Sequence, residues 1–247
     1  MHIKAFLPGS LIEYPGHIAD VIYVGECNFR CPYCYNVDLV LRAHRLPDID
    51  ASQVLEHLEE RRQFVDAVVI SGGEPTLQPD LAEFMTRVRR LDVCVKLDTN
   101  GYRPRVLQQL LEHELVDYVA MDVKSSFAHY ARAAGVAVAA ERLLRSIHIL
   151  LGSAIDYEFR TTVVPGLVTE EDVERIVDLI AGARRYYLQC FRPGETVGWG
   201  SGGPSDPPSA RLLQKMAEFA SSRVGEVGVR GVPKAGDRQC AFGESWM

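Results

Sequence analysis

Apolar residues along the chain fall into two alternating patterns. Short, near-continuous runs rich in β-branched and aromatic residues occur at Val21-Ile22-Tyr23-Val24, at Asp66-Ala67-Val68-Val69-Ile70, and over residues 93–97, 117–121, 157–164 and 186–190. Runs of this length suit strands buried on both faces of a parallel sheet. Between them the apolar positions repeat at helical spacing. Leu81, Phe84, Met85, Val88 and Leu91 share one helical face, and Val173, Ile176, Val177 and Ile180 repeat that spacing. Thr169 with Asp172 three residues later predicts a capping box. Pro104 suits the first turn of a helix whose apolar side is Val106, Leu107, Leu110 and Leu111. Further helices are expected over residues 51–62, 141–151 and 207–222.

Six strand–helix units in tandem imply right-handed crossovers and an α/β fold, with parallel strands inside and helices outside. No internal repeat or linker interrupts the pattern. The expectation is one domain over residues 1–247, with a core at about 18–191 and a C-terminal loop, helix and tail over 192–247. Residues 192–206 hold seven Gly or Pro around Trp199, which suits a functional lid or a plain exposed loop.

Composition narrows the function. A chain of 247 residues suits one large α/β domain, since barrels of this class run about 200–250 residues. A net charge of −6 offers no basic excess for a nucleic-acid backbone. No apolar run approaches the roughly 20 residues that span a bilayer. The opening Met1-His2-Ile3-Lys4-Ala5-Phe6 has no signal-peptide pattern, so a cytoplasmic, reducing location is expected. Six cysteines there read as thiols and metal ligands.

The chemistry concentrates after the first strand, at Gly25-Glu26-Cys27-Asn28-Phe29-Arg30-Cys31-Pro32-Tyr33-Cys34-Tyr35-Asn36. Structural zinc usually takes four N/S ligands, and no fourth cysteine lies near Cys27, Cys31 and Cys34. Three thiolates suit a cubane iron–sulfur cluster better, holding three irons and leaving one open. Other strands also end in polar clusters: Ser71-Gly72-Gly73-Glu74-Pro75, Leu97-Asp98-Thr99-Asn100-Gly101, Asp122-Val123-Lys124, and Gln189-Cys190. The fifth strand carries Arg160 ahead of Val163-Val164-Pro165-Gly166. Each cluster alone could be a turn, but in a parallel barrel these ends converge on one face.

The C-x3-C-x2-C spacing with Tyr33 before the last cysteine resembles the radical S-adenosylmethionine (SAM) superfamily, and Gly72-Gly73-Glu74-Pro75 resembles its GGEP element. The resemblance implies a partial (βα)6 barrel, open on one side, with one [4Fe–4S] cluster on Cys27, Cys31 and Cys34. SAM would lie against Tyr33, Gly72, Gly73, Glu74, Asp98, Thr99, Asn100, Arg160 and Gln189. Ser10-Leu11-Ile12-Glu13-Tyr14-Pro15-Gly16 and the strand-end motifs further resemble activating enzymes for glycyl-radical enzymes, above all the single-cluster type serving anaerobic ribonucleoside-triphosphate reductase. By that resemblance Asp98 and Asp122 would ligate a monovalent cation, with the Thr99 hydroxyl beside them, and Arg160 would pair with the SAM carboxylate. Lys124 and Asp122 would be the catalytic pair. The implied partners are a glycyl-radical enzyme, an anaerobic ribonucleotide reductase, and a flavodoxin- or ferredoxin-like electron donor. Tyr35 departs from the histidine these activases carry. Cys94 is expected in the core, Cys190 at the active face and Cys240 in the tail. A radical SAM enzyme acting on a small molecule or nucleobase is the alternative, and a zinc-dependent binding module a further one.

Overall fold

The apolar runs form strands and the periodic segments form helices, as their spacing demands. The computed structural model describes residues 1–232. In order the elements are β1 (Ile3–Ser10), β2 (Ala19–Val24), α1 (Val37–Leu41), α2 (Ala51–Arg61), β3 (Ala67–Gly72), α3 (Leu81–Arg89), β4 (Cys94–Thr99) and α4 (Pro104–Glu112). There follow β5 (Tyr118–Asp122), α5 (Tyr130–Ala134), α6 (Ala140–Leu151), β6 (Asp156–Val163), α7 (Glu170–Leu179), β7 (Arg185–Cys190), α8 (Ala210–Ala220) and β8 (Glu226–Arg230). Helix starts are fixed locally. Asp50 accepts from the Ser52 amide and Ser209 from the Leu212 amide, while Pro104 opens α4. The Thr169–Asp172 capping box starts α7.

All strands join one sheet in chain order, β1 to β8, with β2 through β8 parallel. The six expected strands are β2 to β7. Two more extend the sheet, and both lacked a sequence signal. β1 runs antiparallel to β2, carries Pro8, and buries only Ile3 fully, as befits an edge. β8 interleaves Val227 and Val229 with Gly228 and charged ends, and none of its residues is buried. Among the described residues β1 and β8 do not pair with each other, so the sheet does not close into a full barrel there.

Alternation along the strands sorts two environments. Ile22, Ile70, Leu97, Met121, Phe159 and Leu188 point outward and pack under the helices with Leu58, Met85, Leu110, Ile147 and Ile176. Each such buried side chain stabilises the fold by about 1.5–3 kcal/mol. The inward face is filled at its N-terminal end by small residues, Ala19, Val21, Ala67, Val69 and Ala120, and closed by Tyr14 and Tyr118. Its C-terminal end is polar, and that end forms the site.

Candidate active site

The loop from Gly25 to Asn36 leaves β2 and folds back over the C-terminal end of the barrel. A tight turn joins the second and third cysteines, with the Cys34 amide donating to the Cys31 carbonyl at 3.0 Å. Phe29, 2% exposed, anchors the loop between the rings of Tyr102 and Tyr130. The Phe29 amide donates to Cys27 Sγ at 3.4 Å, and the side-chain Nδ2 of Asn100 lies 3.9 Å from the same sulfur. Gly73 makes this placement possible. A Cβ there would stand 1.9 Å from the Glu26 carbonyl oxygen, so only glycine admits the loop.

Burial pushes the free thiols up, Cys27 to about 12 and Cys31 to about 11. A metal must therefore displace their protons on binding. The donor set fits an iron–sulfur cluster: three thiols of one loop border a common space beside the buried, unpartnered Asn28 Nδ2 and Tyr33 hydroxyl. Among the described residues, no three His, Cys, Asp or Glu side chains converge where a single ion could sit.

Facing the loop is a chain of alternating charge. Lys96 Nζ lies 2.7 Å from Asp98, and Arg160 reaches Asp98 at 3.3 Å and Asp122 at 2.8 Å. Lys124 Nζ then pairs with Asp122 at 2.8 Å. Burial alone would raise both aspartates, but Arg160 with Lys96 holds Asp98 low, and Arg160 with Lys124 holds Asp122 well below the usual carboxylate range. Three cations against two carboxylates leave a positive surplus. Asp122 is 25% exposed and Lys124 16%, so the chain is open to a ligand.

Glu74 sits apart, fully buried. It accepts from the Thr99 hydroxyl and the Asn100 amide, both at 2.7 Å, and from the Thr76 amide at 3.1 Å. Burial raises its pKa against these bonds. Its carboxylate thus ties the end of β3 to the end of β4. The same bond turns the Thr99 hydroxyl toward Glu74.

All fourteen residues singled out from the sequence border one cavity of about 510 Å3. The cysteines and Tyr33 lie on one wall, with Gly72, Gly73 and Glu74 beneath, then Asp98, Thr99, Asn100, Asp122, Lys124, Arg160 and Gln189 across the strand ends. Several residues of the site were not among those fourteen. Lys96, 2% exposed, is one, and Ser71 donates to Asp98 at 3.2 Å. Arg230 of β8 also borders the cavity and grips Glu158 with two bonds of 2.7 and 2.9 Å. The available signal was alternation: Lys96 stands two before Asp98, and Glu158 two before Arg160, hence on the same face. Cys190 borders the cavity, whereas half-buried Cys94 begins β4 at the far end of the barrel, and Cys240 lies outside the described residues.

Known proteins resemble this chain in sequence and in fold. The family pattern of the Radical SAM superfamily matches residues 21–180. The chain is 35% identical, over 77% of its length and 82% of the other's, to a Methanocaldococcus jannaschii protein named as a candidate glycyl-radical enzyme activating enzyme. It is 32% identical to a PqqA peptide cyclase of Gluconobacter oxydans, over 71% of this chain and 48% of that protein. In fold it is similar to Streptococcus suis SuiB bound to precursor peptide SuiA, with a TM-score of 0.67 at 14% identity. That alignment covers 84% of this chain and 48% of SuiB, so the chain spans about half of that protein.

Proposed function

The chain belongs to the radical SAM superfamily, and from that premise we propose that it is an activase that generates a glycyl radical on a partner enzyme. The observation that carries the chemistry is the single cavity bordered by Cys27, Cys31 and Cys34 on one side and by Asp98, Asp122, Lys124 and Arg160 on the other. Support for the activase role comes from the name of the Methanocaldococcus jannaschii relative and from the unclosed sheet between β1 and β8, where a protein loop could enter. A ribonucleotide reductase of the anaerobic class is the partner proposed, with a flavodoxin- or ferredoxin-like electron donor.

When bound, the [4Fe–4S] cluster supplies the electron that breaks the sulfonium C–S bond of SAM and releases the hydrogen-abstracting 5′-deoxyadenosyl radical. The chain's own residues bind and orient. Cys27, Cys31 and Cys34 would hold the cluster. The cation surplus on Arg160 and Lys124 would take the SAM carboxylate, a fork and a point charge suited to it. Glu74 with Gly72 and Gly73 would flank the ammonium group, the Tyr33 backbone the adenine, and Gln189 the nucleoside. Asn100 and Thr99 would support that wall. Lys124 and Asp122 would stand nearest the incoming glycine. A monovalent cation between Asp98 and Asp122 would have to compete with Arg160, which bridges them, and with Lys96 and Lys124, so a potassium dependence of SAM affinity tests it.

The experiment is an anaerobic mixture of reconstituted enzyme, SAM, reductant and candidate partner. A doublet glycyl-radical EPR signal is expected, with one 5′-deoxyadenosine per radical, abolished by changing the partner's radical glycine to alanine. Deoxyadenosine formed in step with a modified small molecule, with no protein radical, would establish the small-molecule reading instead. Zinc without acid-labile sulfide in the purified protein would remove both.

A further inference from the structure

The cysteine loop is gripped from outside the barrel as well as from β3. Beyond α5 the chain turns at Gly135, whose φ is +68°. A Cβ there would stand 2.0 Å from the Arg30 carbonyl oxygen, and the Arg30 amide donates to the Ala134 carbonyl at 2.8 Å. On the other flank lies the Gly- and Pro-rich segment after β7. It folds into a small hairpin, with Thr196 and Gly200 exchanging backbone bonds of 3.0 and 2.9 Å. From it the Val197 amide donates to the Cys34 carbonyl at 3.0 Å and the Gly198 amide to the Pro32 carbonyl at 3.1 Å. A Cβ at Gly198 would lie 2.6 Å from Pro32 Cα. The Tyr35 hydroxyl closes the strap, accepting from the Arg192 amide at 2.7 Å and donating to the Arg192 carbonyl. Its ring stacks on Phe191 at 6.0 Å, and Phe191 meets Trp199 edge-on at 6.3 Å.

We propose that Gly135, Gly198 and Tyr35 are positioning residues that hold the cysteine loop in its ligating shape. The proposal rests on the cluster-binding reading above. The two grips fall on Arg30 and on Pro32 with Cys34, so they flank Cys31 and fix peptide planes one residue to either side of it. Fixed peptide planes fix the directions of the Cα–Cβ bonds, and with them the reach of the sulfurs. Groups that orient metal ligands from outside the ligand set typically change metal affinity or activity by about 10–100-fold when removed. The strap does this with backbone amides and one phenol.

The test compares wild type with Gly198→Ala, Gly135→Ala and Tyr35→Phe after anaerobic reconstitution, with Gly182→Ala as control. Gly182 also has a positive φ, +82°, but nothing within 4 Å of a built Cβ, so it reports backbone strain alone. Iron release to a chelator, the EPR spectrum of the reduced cluster and thermal unfolding of the metal-free protein are measured. Gly198→Ala and Tyr35→Phe are expected to release iron at least about tenfold faster than wild type. Their EPR g values should shift while the unfolding temperature stays at or above that of Gly182→Ala. Gly135→Ala is expected to behave likewise; should it fail to fold, Tyr35→Phe decides, because it removes one oxygen from a side chain that is 48% exposed. Iron release and spectra in Gly198→Ala and Tyr35→Phe equal to those of wild type would overturn the proposal. A wild type that takes up no iron and sulfide would overturn the cluster reading itself, and this proposal with it.

Discussion

Among the described residues Arg160 alone pairs with both Asp98 and Asp122, so its loss leaves each of them with one lysine. Removing one partner from a buried ion pair costs about 3–5 kcal/mol, and less where water still reaches the group, as at this 11% exposed side chain. Arg160→Ala is expected to weaken SAM binding more than tenfold in an anaerobic titration, and Arg160→Lys to recover only part, because an ammonium lacks the fork. Unchanged binding in Arg160→Ala takes the residue out of the site. Glu74→Gln has a different expected signature. It turns one acceptor into a donor beside the Thr99, Asn100 and Thr76 donors, a loss of about 1–3 kcal/mol visible as a lower thermal midpoint before any ligand is added. The strand-end residues were legible because polar clusters after apolar runs stand out. Lys96 and Glu158 were not, since a single charge inside an apolar run reads as an interruption until its neighbours across the sheet are known.

At the scale of elements, the spacing located six strands and the longer helices, and the Thr169–Asp172 pair marked the start of α7. What the spacing could not show is that Asp172 also receives His129 Nδ1 at 2.8 Å and the Ser126 hydroxyl, joining α7 to the turn before α5. Burial would raise this carboxylate, but those bonds and the Thr169 amide hold it at about 2. A depressed folded value means the stabilisation is complete above the unfolded pKa of about 3.9 and lost as pH falls through 2. Asp172→Asn is expected to unfold at lower urea near neutral pH, by about 1–2 kcal/mol. The gap should close as the pH drops below about 4; a gap that widens in acid would contradict the assignment. β1 and β8 escaped notice for a common reason. Edge strands bury one face at most, so their residues are under weak demand to be apolar on both sides, and the run that betrays a central strand never forms.

For the whole molecule, the order of strands is the order of the chain, and among the described residues the sheet does not close between β1 and β8. The gathering of fourteen scattered residues around one cavity follows from that parallel arrangement, which carries every β-to-α loop to the same end. Cluster chemistry should divide the cysteines accordingly. Cys27→Ala, Cys31→Ala and Cys34→Ala are each expected to abolish reconstituted iron and sulfide, whereas Cys94→Ala, altered at the start of β4, should leave both at wild-type levels. Iron lost with Cys94→Ala would show that the ligands are wrongly chosen. The role of the strap was not legible, because a Gly- and Pro-rich segment announces a loop but not what it lies against.

The strap also sets an order of events during synthesis. The cysteine loop leaves the ribosome early, with β2, yet Val197 and Gly198, which seat its far side, emerge only after β7. A nascent chain halted before Arg192 would lack the Val197 and Gly198 amides that meet Cys34 and Pro32. On the positioning role proposed for the strap, iron delivered at that stage would meet a half-formed mould, and stable cluster uptake is expected only once the late segment has closed over the early one.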